Sequence, residues 1–346
     1  MGDTGPVDRF QRDNAWTGFP LAVLYKFFDD QGNYLAALIA YYAFVSLFPL
    51  LLLAATILGY VLAGDPGLQQ HILTSALSQF PVVGQQLQDP SRIGGGVDGL
   101  VIGVLGALYG ALGVAQAVQY AMNTIWRIPR NKRPNPLKAR GRSLLLLALV
   151  GLAVVGTTVL STLGSSDAGS LGGLLKMVLL AASVLVNAVV FLFVFRLATA
   201  RHLTFADVAP GAISAAVVWQ LLQTFGVTYV RHVVKDASAI NGVFAVVLGL
   251  IAFFYLTAVA VVLCAEINVV RTDRLYPRAL LTPFTDDVEP THGDHRAYTG
   301  QAVSQRSKGF ENIDVTFDKP ADRGNDDDSA QGREDNSTSP EDADDR

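Results

Sequence analysis

The fold is decided by residues 240–268, which read INGVFAVVLGLIAFFYLTAVAVVLCAEIN. No charged residue occurs from Val243 to Ala265, and this length is enough to cross a hydrocarbon core that needs about 20 apolar residues. Glu266 then introduces a carboxylate, and three arginines at 271, 274 and 278 follow it closely. The stretch therefore predicts a membrane-spanning helix that ends in an acid and is stopped by basic residues.

The composition of the whole chain agrees with a membrane protein. Of its 346 residues, 51% are apolar and only 16% are charged, whereas a soluble domain has about 25% charged residues. Residues 1–285 contain 19 Lys and Arg against 13 Asp and Glu, and residues 286–346 contain 7 against 17. The acidity thus belongs to the C-terminal tail. The single cysteine, Cys264, excludes an intrachain disulfide.

Apolar segments divided by charged or Gly/Pro-rich breaks predict an all-α fold, a bundle of six transmembrane helices. A cytoplasmic N-terminal arm, 1–34, precedes the bundle and carries a short interfacial helix around 21–28; a second surface helix is expected at 68–80. Residues 276–346 are predicted to form a disordered cytoplasmic tail, because the acidic segment after about 285 has too little apolar surface to offset its ordering entropy. The predicted spans of the membrane domain, 35–275, are about 35–62, 97–125, 143–163, 174–197, 208–230 and 240–270.

Basic residues set the expected orientation. The loop Arg127–Arg142 holds seven Lys and Arg, and its three prolines, Pro129, Pro134 and Pro136, predict that it is not helical. The arginines after the last span lie on the same predicted face as this loop. The positive-inside rule therefore predicts that both termini are cytoplasmic, in a multi-pass protein of the inner (plasma) membrane of a bacterium. Anionic lipid head groups are the expected partners of the Arg127–Arg142 loop.

Two features of the first two spans predict how they pack. Pro49 lies near the centre of span 35–62, where it is expected to kink the helix, and Ser46 is placed to satisfy a carbonyl that the proline frees. Glycines recur every three or four residues in span 97–125, which favours close approach by a neighbouring helix. This glycine stripe consists of Gly99, Gly103, Gly106, Gly110 and Gly113.

Three segments resemble a known family. Residues 40–50 read AYYAFVSLFPL, residues 207–212 read DVAPGA and lead to Trp219, and the last segment runs from Asn241-Gly242 to Ala265-Glu266-Ile267-Asn268. This pattern resembles the YihY/BrkB family of bacterial inner-membrane proteins over residues 20–275. Asn241 and Cys264 depart from the usual Tyr and Gly, which puts in doubt any role that needs close backbone approach there. The resemblance implies a multi-span fold; the family carries an old ribonuclease BN label, widely regarded as a misassignment, and a serum-resistance label, and some members are associated with moving lipids or envelope precursors.

Glu266 is the first candidate for a functional residue, because a carboxylate inside a span usually faces protein or a cavity. One hypothesis is a proton-linked or substrate-linked site in which Glu266 pairs with Arg196 or Arg127. The alternatives are a structural ion pair, or an acid that reaches the interface near Arg271.

A set of polar residues inside the spans could line a transport path. Alternatively, each amide at positions 116, 119, 123, 187, 220 and 223 forms an interhelical hydrogen bond worth about 0.6 kcal/mol. Ser46 and Pro49 could form a broken-helix site of the kind that transporters use, or only a packing kink. The members are Tyr42, Ser46, Pro49, Gln116, Gln119, Asn123, Asn187, Gln220, Gln223 and Asn268.

Nuclease chemistry is not favoured by the sequence. The five histidines are scattered, no converging metal-ligand set is present, and no Walker A motif occurs. We therefore expect no metal, no cofactor, no nucleic-acid partner and no enzymatic activity. The favoured hypothesis is transport or flipping of a lipid-like or amphipathic envelope molecule; the alternatives are a non-catalytic envelope-assembly or scaffold protein and, more weakly, a membrane-bound hydrolase. Substrate, direction, energy coupling and oligomeric state stay open.

Overall fold

A computed structural model describes residues 6–61, 97–164, 172–235, 239–280 and 289–317. Within these ranges the chain is all-helical, without strands, as the sequence predicts. A one-turn 3₁₀ helix, Arg130–Lys132, lies in the connection after α4. The α-helices of the described residues are α1 (Pro6–Asp13), α2 (Ala15–Asp29), α3 (Gly32–Val61), α4 (Val97–Ile125), α5 (Pro136–Gly164), α6 (Gly172–Ala198), α7 (Phe205–Lys235), α8 (Ala239–Thr272) and α9 (His292–Ser304).

Four of the long helices are apolar and long enough to cross a membrane. They contain the segments Gly103–Ile125, Leu180–Ala198, Phe205–Gln223 and Val247–Thr272, which overlap four of the predicted spans. The segment Gly32–Leu47 of α3 is apolar as well. The predicted spans 35–62 and 143–163 stay predictions, and so does the total of six. The surface helix expected at 68–80 lies outside the described residues.

Helices α3 and α4 pack against each other along the glycine stripe, as the sequence predicts. A Cβ added to Gly106 would lie 2.8 Å from Cβ of Pro49, so the two helices touch where a larger side chain would collide. The Ser46 hydroxyl donates to the carbonyl of Ala43 rather than to that of Val45, the carbonyl that Pro49 frees. The same close approach places Gly110 against Ser46 and Gly113 against Tyr42.

The segment 127–142 is only partly a loop. The prediction that its prolines prevent helix formation is wrong for its second half, because α5 begins at Pro136. Proline is well suited to the first position of a helix, where its missing N–H would have no intrahelical acceptor. Asn135 caps this helix by accepting a hydrogen bond of 2.9 Å from the Lys138 backbone N–H.

The C-terminal segment is folded as far as the structure describes it. The prediction of disorder from residue 276 onward is wrong for 276–280 and 289–317. Helix α9 begins with a capping box in which Thr291 accepts from the Asp294 N–H and Asp294 accepts from the Thr291 N–H. Residues 318–346, where the same prediction applies, lie outside the described residues.

Candidate functional site

Four ionisable side chains form a charge cluster where α2, α4 and α8 meet. Lys26, Asp30 and Glu266 are buried, and Arg127 is half-buried. The ammonium group of Lys26, whose side chain is 1% exposed, bonds to Asp30 one turn later on the chain. It also lies 3.3 Å from Oε2 of Glu266, whose side chain is 0% exposed. One cation from α2 thus faces two carboxylates, one local and one from α8.

The fold places Lys26 at this position for two reasons. Ala22, Val23 and Phe27 are buried around it, so the inward face of α2 carries the lysine into the core. Its Nζ also donates a hydrogen bond of 3.0 Å to the carbonyl of Ile125, the last residue of α4. A cation is favoured there because the C-terminal end of a helix carries partial negative charge.

Burial makes the balance of charge in this cluster important. Taking each ion out of water costs several kcal/mol, and only a close partner of opposite charge offsets that cost. Burial raises the pKa of Asp30, although Lys26 acts against this shift. Neither carboxylate oxygen of Glu266 accepts an aligned hydrogen bond from a described group, so its contact with Lys26 is mainly an ion pair.

Arg127 supplies the second positive charge of the cluster. It lies just after α4 with a φ of 49°, a left-handed conformation. Its Nη1 donates to the carbonyls of Arg296 (2.8 Å) and Ala297 (3.2 Å) in α9, whereas its buried Nε and Nη2 have no hydrogen-bond acceptor among the described residues. Burial lowers the pKa of Arg127, and the nearby acids Asp30 and Glu266 act in the opposite direction. The charge of Arg127 therefore interacts with both acids of the cluster.

A second group of polar residues, here called the terminal clasp, ties the N-terminal helices to the segment 278–294. Its members are Asp8, Gln11, Asp29, Arg278 and Asp294. Arg278, which is fully buried, donates to Asp294 (2.5 Å) and to Asp29 (3.0 Å). Gln11 donates to the Arg278 carbonyl, and Asp8 accepts from the backbone N–H of Leu280. Burial alone would lower the pKa of Arg278, but Asp29 and Asp294 raise it above its ordinary value. The clasp therefore fixes α1, α2 and α9 on one face of the bundle.

The structure places the two predicted partners of Glu266, Arg196 and Arg127, in different surroundings. The pairing with Arg196 is wrong: this exposed guanidinium lies over the ring of Phe205, 4.3 Å from its centroid. Arg127 belongs to the same cluster as Glu266, but its hydrogen bonds go to α9. Lys26 takes the predicted role of the arginines.

Three of the predicted amides hold helices together. Asn268 accepts a 2.7 Å hydrogen bond from the Gly211 N–H of α7. Asn123 accepts one of 2.8 Å from the Ala200 N–H, and Gln119 donates one of 2.8 Å to the Ser143 hydroxyl of α5. The bonds of Asn268 and Gln119 each join two helices, whereas that of Asn123 joins α4 to the connection between α6 and α7.

The structure does not gather the remaining polar candidates into one place. Gln116 is exposed on α4, and Asn187 is half-buried on α6. Gln220 and Gln223 are half-buried on α7, and neither lines the apolar crevice between α7 and α8. Within the described ranges, no three His, Cys, Asp or Glu side chains are arranged to hold a metal ion.

The role of Lys26 in this cluster is not predicted from the sequence, because the residue resembles any other basic residue of the N-terminal arm. A signal was present in the pattern around it. The residues four apart at 16, 20, 24 and 28 are all apolar, which leaves Lys26 on the opposite face of the helix.

Comparison with known proteins identifies the family. The family model described as "Virulence factor BrkB" matches residues 23–286, most of the chain. The inner membrane protein YhjD of Escherichia coli is 25% identical over 261 residues, covering 69% of this chain and 77% of that protein. The ribonuclease-like protein YfkH of Bacillus subtilis is 26% identical over 252 residues, covering 69% and 89%.

A third relative adds to the same assignment. A UPF0761 membrane protein of Alkalilimnicola ehrlichii is 26% identical over 259 residues, covering 72% of this chain and 57% of that protein. No solved structure is significantly similar to the chain. The family match and the apolar helices together show that the chain is an integral membrane protein of the YihY/BrkB family.

Proposed function

We propose that this protein moves a lipid-like or amphipathic envelope molecule across the bacterial inner membrane, with both termini in the cytoplasm. The role is non-enzymatic. The observation that carries the proposal is the position of Glu266, a fully buried acid inside the apolar segment Val247–Thr272. Ionisable groups at membrane depth are costly and usually belong to substrate or proton pathways.

The contact between Lys26 and Glu266 supports a closed state of such a pathway. Lys26 belongs to α2, a 15-residue helix too short to span, whereas Glu266 belongs to the spanning helix α8. The pair can therefore separate by movement of α2 alone, without breaking the backbone hydrogen bonds of α8. Such separation would open Glu266 to the face that carries the termini.

The basic segment Arg127–Arg142 has a place in this proposal as a contact for anionic head groups. Arg130, Lys132 and Lys138 are exposed on it, beside the start of α5. Basic side chains near a membrane surface attract anionic lipids by about 1 kcal/mol each. They would concentrate an anionic amphipath near the cluster.

A second candidate function is a non-catalytic assembly or scaffold protein. The hydrogen bonds of Asn268, Asn123 and Gln119 favour it, because they assign these buried amides to packing rather than to a path. On this alternative, Glu266 serves only to anchor α2.

Lipid translocation in proteoliposomes separates the two candidates. Purified protein is reconstituted with lipids that carry a fluorescent head group, and the rate at which label crosses the bilayer is measured against protein-free vesicles. The variants are Glu266→Gln and, as a matched control, Glu289→Gln, which changes an exposed acid in the same way. Each variant is first checked in detergent for an unchanged elution profile and for a melting temperature well above the temperature of the assay.

We expect the wild type and Glu289→Gln to translocate lipid faster than empty vesicles, and Glu266→Gln to be slower. Equal rates for Glu266→Gln and wild type would contradict a role of Glu266 in the path. Rates equal to those of empty vesicles, for zwitterionic and anionic lipids and with or without a proton gradient, would refute lipid transport and favour the scaffold.

A further inference from the structure

Helix α2 exposes large apolar side chains on its outward face and buries a charged residue, Lys26, on its otherwise apolar inward face. Its outward side chains, four residues apart, are Trp16, Pro20, Leu24 and Phe28, and all four are exposed. The exposed fractions are 77% for Trp16, 48% for Leu24 and 69% for Phe28. The charged residue of the helix core, Lys26, instead points into the protein. We call the four outward residues the apolar stripe of α2.

The contacts of Lys26 fix the depth of this stripe. Its Nζ lies 3.3 Å from Glu266, which is six residues before the end of the apolar segment Val247–Thr272. At 1.5 Å per residue, Glu266 lies roughly 9 Å inside the end of that segment. Helix α2 packs against α8 at this level, so its outward face lies beside the end of a membrane span rather than far out in water.

The helices on either side of α2 also expose aromatic side chains. Tyr34 and Tyr41, on the first turns of α3, are 69% and 61% exposed, and Phe10 on α1 is 57% exposed. Trp and Tyr are enriched at the level of lipid head groups, where an amphipathic ring is favoured. Trp16 of the stripe and the two tyrosines are therefore of the residue types that border lipid.

We propose that the apolar stripe of α2 is a lipid-binding surface, embedded at the boundary between the acyl chains and the head groups of one leaflet. Exposure of this stripe to water costs about 25 cal/mol for each Å² of apolar surface. Lipid removes that cost while the opposite face of α2 stays bound to Glu266 through Lys26. This inference concerns the seating of α2 in the bilayer and does not depend on whether the protein transports anything.

The single native cysteine makes the test direct. In a Cys264→Ala chain, one spin label at a time is placed by Trp16→Cys, Leu24→Cys or Phe28→Cys, and the protein is reconstituted in vesicles of bacterial phospholipid. The control, Asn312→Cys, labels an exposed position in the segment after α9. Power-saturation spectroscopy then compares collisions with oxygen, which concentrates in lipid, and with a water-soluble nickel chelate. Retained melting temperature confirms that each labelled chain is folded.

We expect the three stripe positions to favour oxygen over nickel severalfold, and position 312 to favour nickel. Nickel preference at the stripe would overturn the proposal, because the stripe would face water. Low accessibility to both reagents would overturn it as well, since a protein surface such as a second copy would then cover the stripe. In unlabelled protein, brominated lipids should quench wild-type fluorescence more than that of Trp16→Phe; equal quenching would contradict the proposal.

Discussion

Replacing Lys26 by methionine should be far more costly than neutralising Glu266. Methionine has nearly the volume of lysine, so the change removes a charge and leaves the packing of α2 similar. Lys26 is the cation shared by Asp30 and Glu266, and its loss leaves two buried carboxylates close together. Glu266→Gln, in contrast, leaves the pair of Lys26 and Asp30 in place.

The expected magnitudes follow from this asymmetry. Removing one partner of a buried ion pair destabilises by about 3–5 kcal/mol, because an uncompensated charge remains. For a domain of this size that corresponds to a fall in melting temperature of about 6–20 °C. Losing a partner that leaves a neutral buried group costs about 1–3 kcal/mol, so Glu266→Gln should cause about half of that fall. The double variant Lys26→Met/Glu266→Gln should be more stable than Lys26→Met alone.

Thermal unfolding in detergent, followed by circular dichroism, measures these differences. Lys138→Met is the matched control, because this lysine is exposed on α5 and its loss should change stability by less than about 0.5 kcal/mol. The reasoning is refuted if Lys26→Met and Lys138→Met have the same melting temperature, or if Glu266→Gln lowers the melting temperature as much as Lys26→Met does. A double variant in which the two losses simply add would also refute it, since residues in one ion network should couple.

Two glycine contacts give further predictions. Gly300→Leu should separate α9 from Arg127, because the added side chain would collide with that guanidinium. Limited proteolysis should then cut the C-terminal segment faster. The control Gly309→Leu, which has open space around its Cβ, should leave the rate of digestion unchanged. Gly110→Val should separate α3 from α4 and lower the melting temperature by several degrees. Gly151→Val, with nothing within 4 Å of its Cβ, should leave the melting temperature unchanged. Equal effects of the two valine substitutions would contradict the packing of α3 against the glycine stripe.

The sequence allowed the membrane helices and the buried acid to be predicted, because both depend on local composition. A run without charge is a strong signal, and Glu266 interrupts such a run. Its partner was harder to predict, since pairing between residues 26 and 266 depends on how α2 folds over α8. Arg196 lies nearer to Glu266 in sequence, but it is on the exposed side of α6, where its guanidinium packs over the ring of Phe205.

The folded C-terminal segment was missed for a different reason. Average composition over residues 286–346 is acidic and poor in apolar side chains, and that average hides a short helix. Thr291 and Asp294 form the local signal, a hydroxyl residue followed three positions later by an acid. Composition alone also cannot show that Asp294 pairs with the buried Arg278.

The same clasp has a consequence for how the protein is made. Gln11 bonds to the carbonyl of Arg278, 267 residues later, and Asp8 bonds to Leu280, 272 residues later. At synthesis rates of about 5–20 residues per second, roughly 13–54 s separate the appearance of these partners. Helix α1 must therefore wait beside the growing membrane domain until α8 has been synthesised. It reaches its contacts with residues 278 and 280 only after the last of the apolar helices has left the ribosome.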